Sequence, residues 1–90
     1  MSTFRVVITS PDGNFFDGEA DMLTLRGADG DLAVLAGHAP FITSVQHCPC
    51  KIVLPDGRER IGQTEGGILT VAENTATLLT GAFSWQTEEK

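Results

Sequence analysis

Basic residues are scarce in this sequence. Its 90 residues include six Lys and Arg against twelve Asp and Glu, a formal net charge of −6. The six are scattered, at Arg5, Arg26, Lys51, Arg58, Arg60 and Lys90. Gripping a phosphate backbone takes cations gathered on one face, so the composition argues against a nucleic-acid partner. It fits plain solubility, or a basic protein partner. Aromatic residues are few as well: no Tyr, one Trp and five Phe. A carbohydrate-binding module normally offers aromatic platforms, and here the Phe fall mainly at strand positions. No apolar run approaches the ~18 residues of a membrane span. Phe4 to Ile8 is too short for a signal peptide and Pro11-Asp12-Gly13 follows at once, so the expected compartment is the cytosol.

Cysteine is limited to Cys48 and Cys50. His47-Cys48-Pro49-Cys50, with His38 as a fourth ligand, invites a metal reading. Zinc sites usually leave two to four residues between cysteines, so C-x-C is a poor match. Two buried or half-buried thiols are the better reading, kept reduced in a cytosolic chain. A disulfide across Cys-Pro-Cys would be strained. No cofactor or metal is expected.

A sustained 3.6-residue period is also missing. Apolar runs of four to eight residues recur instead, with a turn signal about every 8–12 residues, which reads as an all-β sandwich or barrel. An apolar content of 41% is enough for one core. Phe4 to Thr9 alternates, and Pro11-Asp12-Gly13 turns the chain. Phe15 and Phe16 open a short strand that breaks at Asp17-Gly18, and Glu19 to Arg26 is the next. Asp29-Gly30 supplies a hairpin turn. Gly30 to Leu35 follows as a short strand, with Leu32 and Val34 on one face and Ala33 and Leu35 on the other. Ala36 to Pro40 is a sharp corner, since Pro40 cannot donate into a ladder. Phe41 to Gln46 leaves it, His47-Cys48-Pro49 interrupts, and Cys50 to Leu54 resumes. Arg58 to Thr64 is a polar strand suited to an edge or a solvated face. Gly66-Gly67 lets two backbones approach. Ile68 to Ala72 and Thr75 to Thr80 form a hairpin about Glu73-Asn74, where Asn tolerates the left-handed region. The expectation is a flattened two-sheet β-sandwich of roughly nine or ten short strands. Residues 1–84 are expected to form it, with residues 85–90 a mobile tail that carries one apolar anchor, Trp85, and could start a helix.

No catalytic constellation emerges. His38 is the obvious acid–base candidate, but its nearest acids in sequence are Asp29 and Asp31, and no Ser or Cys sits in a nucleophile elbow. A structural or interface histidine is the simpler reading. The four Asp-Gly pairs lack the continuation of a calcium loop. Gly66-Gly67 is not followed by the Lys-Ser/Thr of a phosphate loop. Glu88-Glu89 lies in the tail, a poor place to hold two carboxylates at a fixed separation.

The order of features is more specific than any one of them. Pro11-Asp12-Gly13 precedes Phe16-Asp17-Gly18-Glu19. Then come Gly30-Asp31-Leu32-Ala33-Val34-Leu35-Ala36-Gly37-His38-Ala39-Pro40 and Glu65-Gly66-Gly67-Ile68-Leu69-Thr70-Val71, closing on Thr75-Ala76-Thr77-Leu78-Leu79-Thr80. From Phe4 to about Ala82 the chain resembles the amino-terminal β-sandwich of the epsilon subunit of F-type ATP synthase, called delta in mitochondria. The resemblance implies a rotor part with no catalysis of its own, at the foot of the central stalk. It implies docking on the gamma subunit and on the polar loops of the c-ring, and coupling of proton- or sodium-driven rotation to ATP synthesis elsewhere in the complex. It places the chain at the cytoplasmic face of the cell membrane, reached only through the complex. The implied interface residues are Asp31, Gly37, His38, Ala39 and Pro40, with Asp31 where the family has a glutamate facing the basic ring loops.

Beyond Asp31, the chain departs from the family pattern at three places. Ala36 replaces a Pro before Gly37, Ala33 stands where Gly is common, and His47-Cys48 replaces Pro-Gly. The carboxyl-terminal helical hairpin of many relatives is not in this sequence, so ATP binding and inhibition by that hairpin are not expected. An apolar face left bare gives weak self-association in isolation. The alternatives are a free-standing β-sandwich ligand-binding module and a small enzyme built around His38.

Overall fold

The alternation of buried and outward residues is plainest in Phe4–Ser10, Met22–Gly27, Cys48–Val53 and Thr75–Thr80. The computed structural model describes residues 2–86, and ten strands make up those residues. They are β1 (Phe4–Ser10), β2 (Gly13–Ala20), β3 (Met22–Gly27), β4 (Gly30–Leu35) and β5 (Phe41–Val45), then β6 (Cys48–Val53), β7 (Glu59–Thr64), β8 (Gly67–Ala72), β9 (Thr75–Thr80) and β10 (Phe83–Trp85). Period-two patterning turns Phe4, Val6 and Ile8 of β1 inward, with Leu69 and Val71 of β8 and Ala76 and Leu78 of β9. Leu23, Leu25, Val34, Cys48, Cys50 and Ile52 add to the core from β3, β4 and β6, and Ala20, Val45 and Phe83 complete it. Fully burying a side chain of the Leu or Ile class stabilises by about 1.5–3 kcal/mol.

Hydrogen bonding joins the strands in the order β10-β7-β6-β3-β5-β8-β9-β1-β2, with β4 attached to β3 alone. Every pair is antiparallel except β1 with β9. β3 is the fork. Met22 to Thr24 pairs with β6, while Gly27 pairs with Val45 of β5. The ladder is bent over, so that its two ends meet through side chains: Phe15 and Phe83 lie 5.5 Å apart, Phe16 and Trp85 6.1 Å. This is the all-β sandwich of nine or ten short strands expected of the sequence, with its layers joined in one continuous ten-stranded sheet and extents of 32 × 28 × 25 Å instead of a flattened shape. Two buried hydroxyls, Thr64 and Thr80, face each other at 2.7 Å, and Thr64 also accepts from the Gly66 N–H at 3.0 Å.

Several boundaries differ from expectation. β2 runs unbroken through Asp17-Gly18, because Arg5 grips the Asp17 carboxylate with two hydrogen bonds of 2.8 and 2.7 Å. Glu19 and Ala20 therefore end β2, and β3 begins at Met22. β6 starts at Cys48 and is not a resumption of β5; it pairs with β3 and β7. β7 is not an edge, since β10 covers it. Trp85 lies in that last strand, and the Gln86 N–H donates to the Ile61 carbonyl at 2.9 Å, so the sheet reaches past residue 84. The rest of the expected tail, residues 87–90, lies outside the described residues.

Candidate functional site

The corner is built where β4 can no longer continue. Gly37 takes φ +78°, a backbone that L side chains rarely adopt, and the next residue but two is Pro40. The His38 N–H donates to the Leu35 carbonyl at 3.2 Å and closes the turn. Gly37, His38, Ala39 and Pro40 are all exposed. The His38 ring packs on Phe41 at 4.8 Å, and its Nδ1 lies 2.8 Å from the Ala39 carbonyl. A carbonyl only accepts, so Nδ1 carries a proton in this contact. The imidazole is thus an outward-facing polar plate, held by its own loop. The pairing an acid–base site needs, a carboxylate behind the ring and a hydroxyl or thiol in front of it, is not found among the described residues.

Asp31 stands apart from this corner, at the other end of β4. It lies opposite Arg26 in the β3–β4 hairpin, and Arg26 Nε donates to its Oδ1 at 3.1 Å. The Asp31 side chain is 83% exposed. Asp31 does share an open depression of about 310 Å³ with Phe41, Ile42 and Thr43, the residues that leave the corner. Phe41 therefore joins the two parts, touching His38 on one side and this depression on the other.

Arg26 is itself anchored at the fork of β3. There the backbone loses its ladder partner as the strand passes from β6 to β5. Its N–H donates to the Cys48 sulfur at 3.4 Å, and its carbonyl accepts from the Gln46 N–H at 3.0 Å. Cys48 thus has a definite task at the bend where the family pattern has Pro-Gly. Cys50, two residues on, is buried, and burial pushes its thiol up to about 12. A thiolate is the ligand form, so this sulfur is a poor metal ligand. His47 is exposed and faces Glu65 at 3.8 Å instead.

Outside the corner, an apolar patch lies on the outer face of β5, β8 and β9. Ile42, Ile68 and Leu79 are 69%, 42% and 53% exposed. Ile68 and Leu79 are direct cross-strand partners, and Ile42 sits diagonally from Ile68.

Residues 3–86 match the family described as the ATP synthase Delta/Epsilon chain, beta-sandwich domain. The chain belongs to this family. The sodium ion specific ATP synthase epsilon chain of Acetobacterium woodii is 37% identical over 86 residues, which span 96% of this chain and 65% of that relative. An ATP synthase epsilon chain of Acinetobacter baylyi is 35% identical over 79 residues, 88% of this chain and 57% of the relative. The chain thus spans a little under two thirds of the length of these curated relatives. Among solved structures, a chain of the Euglena gracilis mitochondrial ATP synthase (OSCP/F1/c-ring) superposes with a TM-score of 0.88 at 17% identity, over 94% of this chain and 54% of that one. A chain of the Tetrahymena thermophila mitochondrial ATP synthase central stalk and c-ring gives 0.70 at 18%, over 88% and 63%. At such identities the superpositions establish the delta/epsilon sandwich as the fold.

Within this delta/epsilon sandwich, two contributors to the site had no local signal. Arg26 becomes the partner of Asp31 only through the hairpin register. Asn74, read from the sequence as a turn former, reaches the Gly37 N–H with its side chain at 3.1 Å.

Proposed function

We propose that this chain is the sandwich part of a non-catalytic rotor subunit in the central stalk of an F-type ATP synthase. It docks on the gamma subunit and on the c-ring, and passes ion-driven rotation to ATP synthesis carried out elsewhere in the complex. It works at the cytoplasmic face of the cell membrane and meets the membrane only through that complex. The observation that carries this reading is the exposed Gly37-His38-Ala39-Pro40 corner, with acidic Asp31 exposed at the other end of β4, on a sandwich of the epsilon family. The corner faces solvent on a rigid frame, which suits docking. Asp31 can bring one carboxylate oxygen to a basic ring loop while Arg26 holds the other. An exposed pair of this kind contributes about 0–1 kcal/mol, so it sets register and partner choice more than affinity.

The test is Asp31→Lys in the assembled complex. The folded chain is expected to keep its stability within about 1 kcal/mol, because the lost Arg26 pair is exposed. Attachment to the ring, read by co-purification of c and gamma subunits from solubilised membranes, is expected to weaken. Full attachment together with full coupling of ATP synthesis would sink the assignment of Asp31 to the ring interface.

A further inference from the structure

Asn74 is the second residue of the two-residue β8–β9 loop, with φ +59° after Glu73 at +52°. Such a loop asks only for residues that tolerate the left-handed region, and glycine would serve. The side chain of Asn74 nevertheless reaches two distant segments. Its Oδ1 accepts from the Gly37 N–H at 3.1 Å, and its Nδ2 donates to the Thr3 carbonyl at 2.8 Å. The main-chain carbonyl of the same residue accepts from the Arg5 N–H at 3.0 Å. The two side-chain partners fix which end of the amide is which, because an N–H only donates and a carbonyl only accepts.

Gly37 has little else to hold it. Space is open around its α-carbon, and its neighbours 38–40 are exposed. The turn bond from His38 goes to Leu35, the last residue of β4 on the near side of the corner. The Asn74 amide ties the corner across to Thr3 and to the β8–β9 loop, the residues just before β1 and β9, which pair in parallel.

We propose that Asn74 is the positioning residue of the docking corner: its carboxamide fixes Gly37 against the amino-terminal strand and so presents His38, Ala39 and Pro40 in a preset geometry. The inference rests on the reading of that corner as the ring-facing surface. A preset loop loses less conformational freedom on docking than a slack one, so the tether acts on attachment and not on the core.

The test compares wild type, Asn74→Gly and Asn74→Asp. Glycine keeps the turn backbone and removes both side-chain bonds. Aspartate keeps the acceptor for Gly37 and loses the donor to Thr3. Amide exchange at Gly37, followed by NMR, is expected to speed up about 3- to 10-fold in Asn74→Gly, the worth of one hydrogen bond. Exchange at the core amides of Val71 and Leu78 is expected to stay as in wild type. Asn74→Asp is expected to exchange at Gly37 more slowly than Asn74→Gly but faster than wild type, because a carboxylate oxygen then faces the Thr3 carbonyl. Affinity for the detergent-solubilised c-ring is expected to fall in Asn74→Gly and to recover only in part in Asn74→Asp, which keeps the bond to Gly37 and lacks the one to Thr3. Unchanged exchange at Gly37 in Asn74→Gly overturns the proposal, and so does equal acceleration at Gly37, Val71 and Leu78, which marks general loosening. Faster exchange at Gly37 with an unaltered ring affinity upholds the tether and overturns the reading of the corner as the docking surface.

Discussion

Cys50 shows what enclosure does to a single titratable group. Burial pushes its thiol from 9.0 up to about 12, with the neighbouring Cys48 adding to the shift. In the unfolded chain the thiol ionises near its ordinary value, while the folded chain keeps the proton. Between those two values the unfolded state binds fewer protons, so stability falls as pH rises from about 9 towards 12. The urea midpoint is therefore expected to drop from pH 8 to pH 10 more steeply in wild type than in Cys50→Ala. Parallel drops in the two proteins would mean that the thiol ionises without unfolding. Asp17 behaves in the opposite sense. Hydrogen bonds from Arg5 hold its carboxyl below the usual range, so whatever that exposed pair contributes fades as pH falls through the lowered value.

At the scale of elements, β10 depends on a gap left by another strand. The Phe83 ring occupies the space where Gly62 has no side chain; a Cβ there would lie 2.4 Å from Phe83 Cζ and 3.0 Å from the Ser84 carbonyl oxygen. Gly62→Ala is expected to push β10 off β7 at a cost of about 1–3 kcal/mol. Chemical denaturation would show it, together with a red shift of Trp85 fluorescence in the native baseline. A variant with wild-type stability and emission would contradict the packing described. Nothing in a three-residue Phe-Ser-Trp segment shows such a strand in advance, because its partners on β7 lie about twenty residues upstream. β1 and β9 were legible because each alternates between unambiguous turns, and β4 because its short apolar run lies between Gly30 and Gly37. β2 was not, since the Asp17-Gly18 pair looks like a turn until Arg5, twelve residues away, is seen to neutralise it. The corner at Gly37 to Pro40 was legible from its glycine and proline. Its tether was hidden, because Asn74 binds residues 37 and 71 positions away along the chain.

Considered whole, the molecule is a bent ladder whose two ends are closed by aromatic rings instead of hydrogen bonds. Phe16 meets Trp85 edge-on, Trp85 meets Phe83 at 4.9 Å, and the Arg60 guanidinium lies 3.9 Å from the Trp85 ring centre. Trp85→Ala is expected to open this closure and destabilise the fold by roughly 2–4 kcal/mol, a little under the loss seen for fully buried aromatics. Thermal unfolding followed by far-ultraviolet circular dichroism would measure it. An unchanged midpoint would show that hydrogen bonding to β7 alone secures the last strand.

The parallel pairing of β1 with β9 has a consequence for how the chain is born. Arg5 aligns with Thr75 and Thr9 with Leu79. A ribosome adds about 5–20 residues per second, so roughly 4–14 s pass between the synthesis of a residue in β1 and that of its neighbour in β9. β1 can pair early with β2, the next strand in the chain, but its other edge waits those seconds for β9 and stands unpaired meanwhile.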